Sequence, residues 1–184
     1  MTSEIRKSLA HLKKSNIIVY PTDTVWGIGC DATNENAISK IYKIKNRAES
    51  KSLIVLVSSL NMLKSYVKVS NKNINFIKST TKPTTIIYEN PIGFAKNTIA
   101  SDNTIAIRIV KDEFCRKLIK RFGKPIVSTS ANNSGEATPK SFSEISKSIL
   151  EGADYVVNLH QNKINSKSST ILKINGDDIV VLRA

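Results

Sequence analysis

The chain has very little of what builds a metal centre or a covalent active site. It holds two cysteines, Cys30 and Cys115, and two histidines, His11 and His160, in 184 residues. None of them belongs to a Cys/His cluster with ligand spacing, which argues against a bound structural zinc. No serine or cysteine is matched to a histidine in a pattern that serves nucleophilic catalysis. The two cysteines are far apart and are expected as buried thiols rather than a disulfide. No apolar run approaches the ~20 residues needed to span a bilayer. The segment Met1 to Lys14 is polar and has no secretory core. A cytoplasmic protein without membrane attachment is the expectation. Acidic residues are also scarce: 15 Asp and Glu face 28 Lys and Arg, a net charge of +13.

That charge invites a nucleic-acid partner. Yet the basic residues are 22 Lys and only 6 Arg in a chain rich in Asn and Ile. Such a bias looks like the drift of an AT-rich coding sequence, so the charge alone is equally a matter of solubility. Length and a 40% hydrophobic content suit one domain, residues 1–184, with a sizeable core.

Helical and extended patterns alternate along the chain. A helix is expected from Ser3 to Lys14, with Ile5, Leu9 and Leu12 on one face. A short strand, Ile17 to Tyr20, ends at Pro21. Asn34 can cap a helix from Glu35 to Asn46. Leu53 to Val57 is apolar throughout, the mark of a strand buried on both faces. Two short helices, Asn61 to Lys68 and Lys72 to Ser79, lead to strands at Thr85 to Tyr88 and Thr104 to Val110. The loop between these strands, with Pro91 and Gly93, is long enough to suggest function or mobility. Asp112 caps a helix that Gly123 closes. A strand, Ile126 to Thr129, follows. Ser141 and Glu144 read as a capping box for a helix to Leu150. Strands at Tyr155 to Asn158, Thr170 to Ile174 and Ile179 to Leu182 complete an α/β domain on a mixed sheet.

Four segments place polar side chains after or within strands, where α/β sheets tend to bind ligands. Pro21-Thr22-Asp23-Thr24-Val25-Trp26-Gly27 puts hydroxyls and a carboxylate in a turn, to bind a small polar ligand or only to satisfy their own backbone. Lys45-Asn46-Arg47 and then Lys51 put three cations at a helix end and in the loop behind it. They are dipole partners or a polyphosphate clamp. Arg108 interrupts the apolar strand Thr104-Ile105-Ala106-Ile107 and needs an anion, structural or ligand-borne. Ser128-Thr129-Ser130-Ala131-Asn132-Asn133-Ser134-Gly135, then Thr138-Pro139, offers donors suited to phosphate and ribose oxygens. It lacks the spacing of a Walker A loop. Arg47 and Arg108 fall inside these segments and Arg183 ends the last strand, while Arg6, Arg116 and Arg121 lie on expected helix surfaces. Guanidinium is hard to replace where contact with carboxylate or phosphate is bidentate.

In this order the motifs resemble the threonylcarbamoyl-AMP synthase family, the YrdC-like domain. The likeness runs from Tyr20 to Arg183. It is carried by Pro-Thr-Asp-Thr-Val-Trp-Gly, the Lys-x-Arg at 45 and 47, Ile-Ala-Ile-Arg, Ser-Thr-Ser-Ala-Asn-x-Ser-Gly, Ser-Ser-Thr-Ile and the terminal Val-Leu-Arg. The resemblance implies a twisted mixed sheet flanked by helices, with a concave basic cavity, in the short form without the further domain of Sua5-type members. It implies a nucleotidyltransferase reaction in which L-threonine, bicarbonate or CO2, and ATP give threonylcarbamoyl-AMP and pyrophosphate for tRNA modification. ATP would be a substrate accompanied by Mg2+, and a tRNA-modifying transferase complex would take up the product. Carried over by motif, Lys45, Arg47, Ser130 and Asn132 would do the chemistry. Arg47, Lys51, Thr104, Ser130, Asn132, Thr138 and Arg183 would hold ATP, and Thr24, Arg108, Ser128 and Ser169 would hold threonine. The sequence departs from the family at Ala48 and Ser52, where prolines are usual. It also differs at Lys82, where a glycine is usual, at Leu56, where some members have histidine, and at Trp26 in place of tyrosine. The alternative is a YciO-like paralogue that binds structured RNA, weakly and through charge, or acts on another substrate.

Overall fold

The computed structural model describes residues 1–49, 52–164, 168–176 and 178–183. Lys51 lies outside them. The described helices are α1 (Thr2–Lys13), α2 (Glu35–Ile44), α3 (Leu60–Lys64), α4 (Asn71–Ser79), α5 (Glu113–Phe122) and α6 (Lys147–Gly152). The strands are β1 (Ile18–Tyr20), β2 (Gly27–Gly29), β3 (Ile54–Val57), β4 (Thr84–Glu89), β5 (Thr104–Ile109), β6 (Ile126–Ser130), β7 (Tyr155–Val156), β8 (Thr170–Asn175) and β9 (Asp178–Arg183). They form one mixed sheet in the order β7-β1-β2-β6-β3-β5-β4-β8-β9. None of the described helices is long and apolar enough to cross a membrane.

Local chemistry sets the helix ends. Asn34, Ser59, Ser70 and Asp112 each accept a backbone N–H three residues on, satisfying one of the orphan donors of the first turn. Gly123 closes α5 with φ 77°, a left-handed conformation that suits glycine. The expected capping box does not form. Glu144 instead accepts the N–H of Lys140 at 2.8 Å, Ser141 meets Ser143, and residues 142–144 make a single 3-10 turn. The helix starts only at Lys147.

β2 was not expected, because a Gly-Ile-Gly strand has almost no side-chain pattern to read. Its glycines are needed for packing. A Cβ on Gly29 would sit 1.9 Å from the Val127 carbonyl oxygen, and one on Gly27 would sit 2.9 Å from Ser128 Oγ. β2 therefore lies between β1 and β6 at a spacing only glycine permits.

Strand alternation divides the core between two faces. Val19, Ile28, Val55 and Val127 meet Ile38, Ile41 and Tyr42 of α2 on one face. Ile18, Tyr20, Leu56 and Ile126 meet Ile5 and Leu12 of α1 and Phe114, Leu118 and Ile119 of α5 on the other. Each fully buried side chain of this size contributes roughly 1.5–3 kcal/mol. Both cysteines are free and buried within these clusters.

The long loop after β4 is tied down. Asn90 N–H donates to the Asn103 carbonyl at 3.0 Å, and Ala95 N–H donates to the Ala32 carbonyl at 3.2 Å. Asn97 donates to the Glu35 carbonyl at 3.0 Å. The loop thus docks on the start of α2.

Candidate functional site

α1 and α5 cover only part of their face of the sheet. Register shows where the uncovered part begins. Leu56 lies opposite Ile126 and Arg108, and the next same-face residue, Ile54, lies opposite Ser128 and Ala106. Beyond β5, Ile87 pairs with Ala106 and Thr85 with Arg108. Ile54, Ala106 and Ile87 floor a cavity of about 380 Å³, whose wall includes Thr24, Arg47, Arg108, Ser128, Ser130, Thr138, Ser169 and Arg183. Eight of the residues singled out from sequence therefore face one space.

Arg108 is the buried cation of this cavity, 3% exposed. Its Nη2 lies 3.0 Å from Asp23 Oδ1 and donates to Thr24 Oγ1 at 3.3 Å. Nε is buried and has no hydrogen-bond partner among the described residues. Asp23 is held in turn by the Lys111 N–H at 3.0 Å. Thr24 is oriented by a chain of hydroxyls. Thr22 donates to the Val25 carbonyl at 2.7 Å, so its oxygen is left to accept from Thr24 Oγ1 at 3.0 Å and from the Thr24 N–H. Asp23 is thus the structural anion of Arg108. The sequence placed it in a conspicuous motif but did not show that pairing.

Around the rim, Ser169 Oγ and Thr85 Oγ1 are 2.8 Å apart and buried. The Ser169 carbonyl accepts from Arg183 Nε at 3.2 Å and Nη2 at 2.8 Å. Thr85 and Arg183 thereby set the position of Ser169, and Thr85 was not anticipated from sequence. Arg47 follows α2 and donates to the Ser52 carbonyl at 2.9 Å. Burial holds its guanidinium below its ordinary pKa. Ser52, where the family usually has proline, is therefore in contact with the predicted phosphate clamp. Trp26 also lines the cavity and packs against Phe142, with ring centroids 5.0 Å apart.

Three predicted residues stand elsewhere. Thr104 shares the strand face of Ala106 and Arg108 but does not line the cavity. It is two residues short of Ala106, and its hydroxyl donates to Asp102 at 2.7 Å. Lys45 and Asn132 lie behind the cavity wall, 1% and 9% exposed. Asn132 Nδ2 donates to the carbonyls of Asn133 and Glu136, both at 2.9 Å. That fixes the amide orientation and leaves Oδ1 buried without a partner among the described residues. Of the family departures, Ala48 and Lys82 are exposed, and Leu56 is fully buried beside Arg108.

A cavity with a buried arginine at one end, further guanidinium groups on its rim and small hydroxyl side chains between them suits a ligand with several anionic groups. The Sua5/YciO/YrdC family model, described as telomere recombination, matches residues 10–184. The chain belongs to the Sua5/YciO/YrdC family. Among Sua5/YciO/YrdC relatives, a putative threonylcarbamoyl-AMP synthase of Methanocaldococcus jannaschii is 36% identical over 185 aligned positions. The match covers 98% of this chain and 86% of that protein. The structure of P. abyssi Sua5 complexed with L-threonine aligns with TM-score 0.87 at 24% identity, over 97% of this chain and 53% of that one. E. coli YciO aligns with TM-score 0.87 at 24% identity, over 100% of this chain and 89% of that one. This chain therefore spans about half of the Sua5 chain and most of the other two. The last two likenesses establish the Sua5/YciO/YrdC fold, and the resemblance read from motif order is borne out at the level of the family.

Proposed function

We propose that this protein is an L-threonylcarbamoyladenylate synthase, a nucleotidyltransferase that joins L-threonine, bicarbonate or CO2, and ATP. The observation that carries this reading is one cavity lined together by Arg108, Thr24, Arg47, Ser130 and Thr138. The names of its sequence relatives support the same reaction.

In this reaction the threonine amine adds to CO2 and loses a proton, or displaces water from bicarbonate, to form a carbamate. A carbamate oxygen attacks the α-phosphorus of ATP. The bond from that phosphorus to the bridging oxygen breaks, and pyrophosphate leaves. No enzyme nucleophile takes part. The chain's own contribution is positioning and charge neutralisation. Arg108 receives the threonine carboxylate on its unused Nε–H, with Thr24, Ser128 and Ser169 placing the rest of the amino acid. Arg47 and Arg183 offset the charge that develops on the departing pyrophosphate, and Ser130 and Thr138 hold phosphate oxygens. Thr104, Lys51 and Asn132 are assigned to ATP on the family pattern alone. Magnesium enters with the triphosphate, as part of the substrate. The adenylate passes to a tRNA threonylcarbamoyltransferase complex, which places the protein in the cytoplasm.

The deciding experiment is pyrophosphate release from ATP by the purified protein. Release that needs both threonine and bicarbonate is the expected result. Release indifferent to threonine, or none from folded protein, overturns the reading. The net charge of +13 favours a second reading, an RNA-binding paralogue. That reading predicts RNA affinity that falls steeply with salt, with no turnover of ATP.

A further inference from the structure

Lys45 is the C-cap residue of α2. After it, Asn46 turns the chain with φ 48°. Arg47 reaches the cavity wall, whereas the Lys45 side chain runs inward and is 1% exposed. Its ammonium donates to the carbonyl of Ser130 at 2.5 Å and to the carbonyl of Asn132. Its own carbonyl accepts the Ser134 N–H at 2.7 Å. One residue thus ties the end of α2 to three points of the 130–134 turn.

These ties dictate how the turn faces. In a trans peptide the carbonyl and the following N–H point in opposite directions. With the Ser130 carbonyl drawn onto Lys45, the Ala131 N–H points away and donates to the Trp26 carbonyl at 2.9 Å. With the Asn132 carbonyl drawn the same way, the Asn133 N–H points to Glu136 Oε2, at 3.3 Å. The side chain of Asn132 then folds back on the Asn133 and Glu136 carbonyls. Carbonyls left facing each other without a cation would repel, and a buried ammonium without acceptors would be costly. Each therefore accounts for the burial of the other. A phosphate-binding lysine, by contrast, needs its ammonium open to the ligand.

We infer that Lys45 is a positioning residue, whose ammonium holds the 130–134 turn so that Ser130 is presented to the nucleotide, and that it does not itself ligate the phosphates. The inference rests on the synthase reading for the identity of the nucleotide, while its structural half can be tested without turnover.

The test compares wild type with Lys45→Met. Amide hydrogen exchange is followed in the ligand-free proteins, and the affinities for ATP and for AMP are measured by calorimetry. A positioning role predicts at least tenfold faster exchange at Ala131, Asn132 and Ser134, with β3 and β5 unchanged. It also predicts that ATP and AMP affinities fall by similar factors while the KM for threonine holds. Unchanged exchange with ATP weakened far more than AMP would make Lys45 a phosphate ligand and overturn the inference. Faster exchange throughout the sheet would make it a general stability residue and overturn it equally. If Lys45→Met does not fold, Lys45→Gln is read by the same criteria, since its amide keeps one nitrogen to donate. Absence of threonine-dependent pyrophosphate release by the wild type would defeat the synthase reading and leave the exchange result standing.

Discussion

Replacing Arg108 with lysine tests the proposed amino-acid end of the cavity most directly. Arg108 does two things at once. Nη2 faces Asp23 and Thr24, and Nε has a buried N–H with no partner among the described residues. Arg108→Ala would confound the two, because it also strands the Asp23 carboxylate. Breaking a buried pair in this way costs about 3–5 kcal/mol, with the lower end expected here because the Lys111 N–H remains on Asp23. Arg108→Lys keeps a positive charge for Asp23 but has no second nitrogen in the position of Nε. One charge-assisted hydrogen bond to the threonine carboxylate is lost, worth roughly 1.5–3 kcal/mol. At about 1.4 kcal/mol per factor of ten, the KM for threonine should rise about 10- to 150-fold, while the KM for ATP changes little. The assay is pyrophosphate release over a range of threonine concentrations at saturating ATP, with a thermal melt to check the fold. An unchanged threonine KM together with a raised ATP KM would remove Arg108 from the amino-acid subsite.

Arg47→Ala should cut turnover at least about 100-fold, as for loss of a group that stabilises developing charge, with stability within about 1 kcal/mol of wild type because the side chain is only half-buried; a near-normal rate would exclude it from the phosphate clamp. Gly29→Ala should lower stability by about 3 kcal/mol or more, because its Cβ would overlap the Val127 carbonyl, whereas Gly123→Ala, with open space around it but φ 77°, should cost only about 1 kcal/mol; equal melting temperatures for the two would refute the packing argument. Burial, and next the Arg47 charge, bring the Lys45 ammonium down to about 8, with Glu136 opposing. Between that value and the ordinary lysine value the unfolded chain binds the proton and the folded chain does not, so the Lys45 contribution to stability grows with pH, by at most about 1.4 kcal/mol per pH unit. Burial raises the Cys30 and Cys115 thiols and so acts in the opposite direction above their ordinary range, for which reason the quantity to measure is the stability of wild type minus that of Lys45→Met from pH 7 to 10. A flat difference would refute the lowered Lys45 value and mean that the two carbonyls fully offset the burial of its ammonium.

Much of the fold was readable because its signals are local. Apolar periodicity marked α1, capping residues marked the starts of α2 and α5, and apolar runs marked β3, β5 and β6. Residues that line the cavity from those strands, such as Arg108 and Ser128, were legible for the same reason: a polar group breaking an apolar run is visible in one dimension. The Ser141–Glu144 pattern shows the limit of such reading, since two residues with the right spacing found other partners when the chain turned.

The sequence by itself determined the element types, most of their boundaries, and which polar side chains interrupt them, because each depends on residues a few positions apart. Tertiary structure decided the rest. β2 exists because two neighbouring strands approach glycines closely, which no periodicity encodes. Asp23 neutralises Arg108, Thr85 steadies Ser169, and the Lys45 ammonium turns away from the cavity onto backbone carbonyls more than eighty positions along the chain. Each of these is a choice between partners brought together only by the strand order. The direction in which a long charged side chain points follows from which burial costs can be met there, and that depends on groups the sequence does not place side by side.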